Sequence, residues 1–306
     1  MALPVEVVAP VRIEVREGHS LAVRRCGDGG VPLLLLHGFP CTSRIWSHNL
    51  VPLAEAGFDV VAPDLRGYGD SDFAPDDFYD LNAFNTDLTG LFDELGWDRA
   101  VVAGHDLGAA VAIDLANRHP DRVERLVILD DSMPDLAETF AAAGIPRGRP
   151  KPAVFDYHRR QGHDADALVA DLDTPEQRQH YIGEFFGHRL WCPPDAFDDE
   201  DVAFLTEPYQ DAARLRASFA DYEILMGARK LSAPEMLDRP VQHQTLVLIG
   251  TDQATLGDHI EQRCEIAFPN AVGPFWIKDT GHFMPWERPQ LVNRAIQSFC
   301  GDLLAS

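Results

Sequence analysis

Apolar residues in the first half of the chain form short, unbroken runs that alternate with stretches of helical periodicity. These segments predict strands at 31–36, 59–62, 99–103 and 123–129 and helices at 45–56, 81–95 and 109–118. Unbroken apolar runs of this length are typical of strands that are buried on both faces. The alternation of the two patterns predicts an α/β fold with a mostly parallel, doubly wound sheet.

The pattern changes in the middle of the chain. A segment rich in Asp, Arg, Gln, His and Phe shows helical periodicity at 175–186 and 211–223, without a convincing strand. Strand patterning returns at 245–250 and 274–277. Helices inserted between two strands of a sheet are typical of a lid over its catalytic end. The predicted division is a core formed by 1–134 and 240–306 and a helical cap formed by 135–239.

The segment 104–108 (GHDLG) follows one predicted strand and precedes a helix. Its small residues allow a tight strand–turn–helix, which holds one side chain above the sheet edge at a helix N-terminus. Hydrolases often carry serine at this place, whereas this chain carries Asp106. A carboxylate nucleophile can displace a leaving group from saturated carbon and form an alkyl ester. The turn therefore indicates epoxide opening or carbon–halogen cleavage.

Two further segments supply groups that an aspartyl ester requires. The backbone N–H of Phe39 in 37–40 (HGFP), together with that of Leu107, is predicted to form an oxyanion hole. His282 lies on a loop after the last predicted strand, and a neutral imidazole suits the base that activates water. Orienting this imidazole requires an acid. Three candidates at strand ends stay open, namely Asp130, Asp131 and Asp252.

Four motifs follow predicted core strands: HGFP at 37–40, DLRGYGDS at 64–71, GHDLG at 104–108 and GH at 281–282. Together they resemble the α/β-hydrolase superfamily, and within it the branch of epoxide hydrolases and haloalkane or haloacetate dehalogenases. The resemblance covers about residues 20–134 and 240–300. In members that place the acid after the sixth strand, it lies as far beyond the nucleophile as Asp130 lies beyond Asp106. The resemblance therefore favours Asp130 as the acid.

The resemblance also implies proton donors in the cap, because an oxirane oxygen becomes an alkoxide as the ring opens. Tyr222 matches the second lid tyrosine of epoxide hydrolases. The first donor is expected within 154–159, where a subset of epoxide hydrolases resembles this chain in carrying a histidine. His158 and Tyr157 both stay candidates. The residues expected to bind an apolar substrate are Phe39, Leu107, Tyr157, Trp191, His105 and Phe283.

The residues after the nucleophile depart from the dehalogenase patterns. Haloacetate dehalogenases typically carry arginines directly after it and three positions further on, where this chain has Leu107 and Ala110. A haloacid carboxylate therefore lacks a bidentate partner at these positions. Haloalkane dehalogenases usually place a tryptophan where Leu107 stands. The favoured interpretation is an epoxide hydrolase, with a dehalogenase as the alternative and a non-catalytic ligand-binding homologue as a remote one.

Composition narrows the expected partners. The formal net charge of −23 over 306 residues argues against nucleic acid or an anionic membrane surface. No apolar run is long enough to cross a membrane and no secretory signal is visible, so a cytoplasmic location is the expectation. Five scattered cysteines signal neither disulfides nor zinc, and the chemistry implies no metal or organic cofactor. The expected partner is an apolar epoxide or organohalide, with a homodimer left open.

Overall fold

An eight-stranded sheet runs through the core of the protein. The computed structural model describes residues 8–130, 133–146, 152–188, 190–252 and 259–305. The strands are β1 (Val11–Arg16), β2 (His19–Cys26), β3 (Val31–Leu36), β4 (Phe58–Pro63), β5 (Ala100–His105), β6 (Val123–Leu129), β7 (Thr245–Gly250) and β8 (Ala271–Ile277). Across the sheet they follow the order β1-β2-β4-β3-β5-β6-β7-β8.

The sheet is mostly parallel, as predicted. β2 is antiparallel to both β1 and β4, and the other neighbouring strands are parallel. β4, β5 and β7 are buried at every position, which explains their largely apolar sequences. The sequence analysis did not predict β1 and β2. They form an antiparallel hairpin at one edge of the sheet, and β1 carries charged residues on its largely exposed surface.

Some helices connect neighbouring strands along the chain, and a longer series of helices is inserted between β6 and β7. In chain order they are α1 (Leu50–Glu55), α2 (Leu81–Leu95), α3 (Leu107–Arg118), α4 (Ala137–Ala142), α5 (Pro152–His163), α6 (Ala165–Asp171), α7 (Pro175–Gly187), α8 (Asp199–Thr206), α9 (Ala212–Ser218), α10 (Ala220–Leu225), α11 (Ile260–Ala267), α12 (Met284–Glu287), α13 (Pro289–Phe299) and α14 (Gly301–Leu304). The described residues between β6 and β7 form helices and no strand, as predicted. Within the described ranges, no helix has both the length and the apolar character of a membrane span.

Two helices predicted as continuous are broken. The stretch at 45–56 consists of a 3₁₀ turn followed by α1, and the stretch at 211–223 divides into α9 and α10. At each break a serine hydroxyl donates to the backbone carbonyl three residues earlier: Ser47 to Arg44 at 2.7 Å, and Ser218 to Leu215 at 2.8 Å. Such bonds compete with the regular helical pattern and bend the chain.

The helical insertion, predicted as the cap, is bound to the core by polar contacts. Arg44 of the core donates to the backbone carbonyl of Phe204 at 2.7 Å and to the carboxylate of Glu207 at 2.6 Å. Arg214 of the insertion donates to the backbone carbonyl of Ser71. These contacts hold the insertion at the edge of the sheet where the strands β3 and β5 end. The cap boundaries at 135 and 239 stay a prediction.

The DLRGYGDS motif at 64–71 forms a buried polar support near this edge. The guanidinium of Arg66 donates through two nitrogens to the carboxylate of Asp87, both at 2.6 Å. The Arg66 side chain is 0% exposed and that of Asp87 is 2% exposed. Asp64 accepts from the backbone N–H groups of Ser43 at 2.7 Å and Asp70 at 2.9 Å. The motif therefore ties together the loops that follow β3 and β4.

Candidate active site

Asp106 stands alone between the end of β5 and the start of α3. Its backbone has φ 55° and ψ −125°, a conformation that a non-glycine residue holds only when its surroundings impose it. Two glycines make the turn possible. A Cβ on Gly104 would overlap the carbonyl of Gly108, and a Cβ on Gly108 would lie 2.5 Å from the carbonyl oxygen of Leu36. The tight strand–turn–helix predicted from GHDLG is present.

The two carboxylate oxygens of Asp106 have different surroundings. Oδ1 accepts from the backbone N–H of Phe39 at 2.8 Å, and the N–H of Leu107 also bonds to the carboxylate. Oδ2 lies 3.4 Å from Nε2 of His282. Burial acts to raise the pKa of Asp106, but the bond and charge of His282, with the N–H of Leu107, hold it below its usual value. The group is therefore an ionised carboxylate.

The imidazole of His282 lies between two carboxylates. Its Nδ1 is 2.9 Å from Oδ2 of Asp130, and its Nε2 faces Asp106. The other oxygen of Asp130 accepts from the N–H of Gly250 at 3.2 Å, so the acid is itself fixed. Burial acts to lower the pKa of His282. The hydrogen bonds and charges of Asp106 and Asp130 outweigh burial and raise this pKa to about 10.

The structure describes two of the three candidate acids and distinguishes between them. Asp130 meets His282, whereas Asp252 is exposed and its carboxylate accepts from the hydroxyl of Thr251 at 2.9 Å. Asp131 lies outside the described residues. The geometry thus brings Asp106, His282 and Asp130 into one constellation.

Two of the predicted substrate-binding residues are fully buried. His105 and Phe283 are both 0% exposed. Nε2 of His105 is 2.8 Å from the backbone carbonyl oxygen of His282, and the pKa of His105 falls to about 3 because of burial and the neighbouring His282 charge. This neutral imidazole therefore donates to that carbonyl. Phe283 packs against Phe186 and Phe197.

Side chains of the helical insertion lie near Asp106. The Tyr222 ring meets the ring of Phe39 edge-on at 5.0 Å and lies 5.1 Å from that of His158. Burial, followed by the proximity of Tyr157 and the charge of Asp106, raises the pKa of Tyr222 well above its usual value. The hydroxyl of Tyr157 is 2.8 Å from Nε2 of His158, whose pKa burial lowers to about 4. The predicted lid donors therefore lie together as neutral groups.

An apolar cavity of about 180 Å³ opens beside these donors. Trp191 lines it and also lies 5.2 Å from the ring of His282. The sequence analysis missed two further aromatic residues of its wall, Tyr181 and Phe185. Their spacing of four residues on a predicted helix was the available signal, because such residues share one helical face. His188 and Glu184 supply polar atoms to the same wall.

Comparisons with known proteins agree with this geometry. A family described as the alpha/beta hydrolase fold matches residues 31–289. Epoxide hydrolase 3 of Siraitia grosvenorii is 41% identical, over 92% of this chain and 95% of its own. A soluble epoxide hydrolase of Corynebacterium sp. (strain C12) is 31% identical, over 86% of this chain and 87% of its own. The solved structure of the epoxide hydrolase CorEH without ligand superimposes with a TM-score of 0.80 at 28% identity, covering 96% and 99% of the two chains.

These matches span the sheet, the Asp106 turn and the His282 loop together, and the family match alone covers most of the chain. They confirm the resemblance that the four motifs indicated. The chain belongs to the alpha/beta hydrolase family, and its relatives include proteins named epoxide hydrolases.

Proposed function

We propose that this protein is an epoxide hydrolase that works through a covalent aspartyl ester. The observation that carries the proposal is that the two oxygens of the Asp106 carboxylate have different partners. Oδ1 already accepts from the N–H of Phe39, while Oδ2 lies 3.4 Å from Nε2 of His282. A carboxylate placed in this way can attack carbon with one oxygen while the other stays bound. Relatives named epoxide hydrolases support the same assignment.

The first step opens the oxirane. Oδ2 of Asp106 forms a bond to the less hindered ring carbon, and the bond from that carbon to the ring oxygen breaks with its electron pair on oxygen. Tyr222 gives its hydroxyl proton to this oxygen, and His158 stabilises it as the second donor. If the hydroxyl of Tyr157 donates to Nε2 of His158, then Nδ1–H of His158 is the group that meets the substrate. The product is a hydroxyalkyl ester of Asp106.

Water then hydrolyses the ester. His282 takes one proton from the water, whose oxygen attacks the carboxyl carbon of Asp106. The charge that develops on Oδ1 is stabilised by the N–H of Phe39, which already binds this oxygen before the reaction begins, together with the N–H of Leu107, which binds the same carboxylate. The intermediate collapses, and the leaving diol oxygen takes the proton held by His282. The second proton of the water restores the hydroxyl of Tyr222, and Asp106 is again a carboxylate.

The raised pKa of His282 in the free protein fits this sequence of steps. Much of the rise comes from the hydrogen bond and charge of Asp106. Esterification removes that charge, so the pKa of His282 falls once the intermediate has formed. The imidazolium then releases its proton to solvent and becomes a base at the step that needs one, and it takes up a proton again when the Asp106 carboxylate is restored. Asp130 keeps its bond to Nδ1 and leaves Nε2 directed at the water.

Intact-protein mass spectrometry of His282→Gln tests the proposal, because this variant should form the ester and fail to release it. Exposure to styrene oxide should add the mass of the whole epoxide, and a second change, Asp106→Asn, should prevent the adduct. Asp252→Asn in the same background is the matched control and should keep it. Asp106→Asn must be freshly prepared, since deamidation restores aspartate.

The same measurement tests the dehalogenase alternative, which shares the ester. Chloroacetate or fluoroacetate should give no adduct, since Leu107 and Ala110 stand where haloacetate dehalogenases carry arginines. A gain equal to the haloacid minus hydrogen halide, with no epoxide adduct, would select dehalogenation. Absence of any adduct would contradict both chemistries.

A further inference from the structure

The loop that carries His282 joins β8 to the short helix α12 and lies outside both regular elements. Its backbone is instead held from several sides. The N–H of His282 donates to the carbonyl of Trp191, and its carbonyl accepts from His105. The N–H of Gly281, directly before His282, donates to Oε2 of Glu287 at 2.7 Å. A carboxylate from the end of α12 therefore folds back onto the catalytic loop.

The N–H of Phe283, directly after His282, faces the same carboxylate. Burial raises the pKa of Glu287 to about 7, although the N–H groups of Gly281 and Phe283 and the charge of His282 oppose the rise. Among the described residues, the buried Oε1 has no hydrogen-bond partner. Burying a carboxylate with one oxygen unpaired costs free energy. We infer that Glu287 is kept at this place because it holds the backbone on both sides of His282.

Besides Asp106, two further carboxylates hold His282 through separate contacts. Asp130 bonds to the imidazole ring and fixes its rotation. Glu287 bonds to the backbone next to His282 and fixes the position of the backbone from which the imidazole extends. The negative charge of Glu287 and the positive charge of His282 also stabilise each other. Displacement of the imidazole by about 1 Å is enough to slow a reaction step on the order of 100-fold.

We propose that Glu287 is a positioning residue that holds the His282 loop for ester hydrolysis, a role that rests on the proposed function above. Glu287 does not touch the reacting atoms. It acts on the second step, in which His282 is the base, and leaves the first step, in which Asp106 and the cap donors act, unaffected.

Single-turnover kinetics with styrene oxide separate the two steps. Glu287→Gln, which keeps the shape and removes the charge, should slow ester hydrolysis about tenfold. Glu287→Ala should slow it on the order of 100-fold, and alkylation should stay within about twofold in both variants. The matched control is Asp279→Asn on the same loop, because the Asp279 side chain is 67% exposed and its nearest charged partner is Lys278 at 3.9 Å. Equal slowing of both steps, or normal hydrolysis in both Glu287 variants, would overturn the proposal.

A readout without substrate separates this inference from the proposed function. The imidazole pKa of His282, followed by NMR and identified through the signal missing in His282→Gln, should fall in Glu287→Gln and stay unchanged in Asp279→Asn. An unchanged pKa in Glu287→Gln would also overturn the role of Glu287. Failure of the unmodified protein to form any ester would contradict the proposed function. A lowered pKa of His282 in Glu287→Gln would still show that Glu287 influences His282.

Discussion

Oδ2 of Asp130 lies 2.9 Å from Nδ1 of His282, although 152 residues separate them along the chain. Once the ester has formed and the imidazole is neutral, this contact keeps its proton on Nδ1 and leaves the lone pair of Nε2 directed toward residue 106. Asparagine at 130 would have the shape of the acid without its charge, and its amide would favour the wrong tautomer.

Asp130→Asn should therefore lower kcat by about 10³- to 10⁴-fold, with ester hydrolysis more affected than alkylation. Steady-state diol formation and the amount of trapped ester measure the two effects. Asp252→Asn is the matched control, because Asp252 ends the neighbouring strand and is exposed, and it should leave both unchanged. A larger loss in Asp252→Asn than in Asp130→Asn would contradict the assignment.

Tyr222→Phe should slow ring opening on the order of 100-fold, because the phenyl ring keeps the packing against Phe39 and removes the proton donor. The rate of adduct formation in a His282→Gln background measures this step alone. Tyr79→Phe is the control. Its hydroxyl accepts from the backbone N–H of Ala74 at 3.2 Å and does not line the cavity, and this variant should alkylate at the parent rate. Equal rates in all three proteins would exclude Tyr222 as a donor.

The ionisation of His282 should make stability depend on pH. The pKa rises from about 6.5 in the unfolded chain to about 10 in the folded protein. The stabilisation is therefore fully present below about pH 6.5 and is lost as the pH rises through about 10. The difference in unfolding free energy between the unmodified protein and His282→Gln should shrink across this range, as urea titrations would show. His180→Gln, at a largely exposed histidine, should show no such trend.

The buried ion pair of Arg66 and Asp87 should stabilise the folded protein without taking part in the reaction. Arg66→Met leaves the Asp87 carboxylate buried with weaker partners, so the unfolding free energy should fall by about 3 kcal/mol. Arg99→Met is the control, because the pair of Arg99 with Glu124 is exposed, and its effect should stay below about 1 kcal/mol. Denaturant titration measures both. Equal effects would contradict the role of the DLRGYGDS motif as a buried support.

The sequence predicts the central part of the fold best, because strands buried on both faces leave unbroken apolar runs. The β1–β2 hairpin lies at an edge, where solvent permits charged residues and the apolar run disappears. Helix ends were less predictable for a local reason. The hydroxyls of Ser47 and Ser218 change the backbone bonding without changing the apolar pattern.

In the candidate site, motifs indicate which residues are neighbours in the chain but not which way they point. His105 adjoins Asp106 in sequence, yet successive residues of a strand face opposite sides, and His105 faces the interior. The contact of Glu287 with Gly281 depends on how the loop folds back, so no spacing rule predicts it. The choice between Asp130 and Asp252 likewise rests on which strand end faces His282.

At Gly281 the loop of His282 contacts the backbone of the helical insertion directly. A Cβ on Gly281 would overlap the carbonyl of Trp191 and would lie 2.5 Å from Cα of Cys192. Exchange of the insertion for that of a relative would therefore have to preserve the backbone path at 191–192, whatever new side chains line the cavity. Exchange of the insertion can change the side chains around the cavity, but this junction limits which insertions the core can accept.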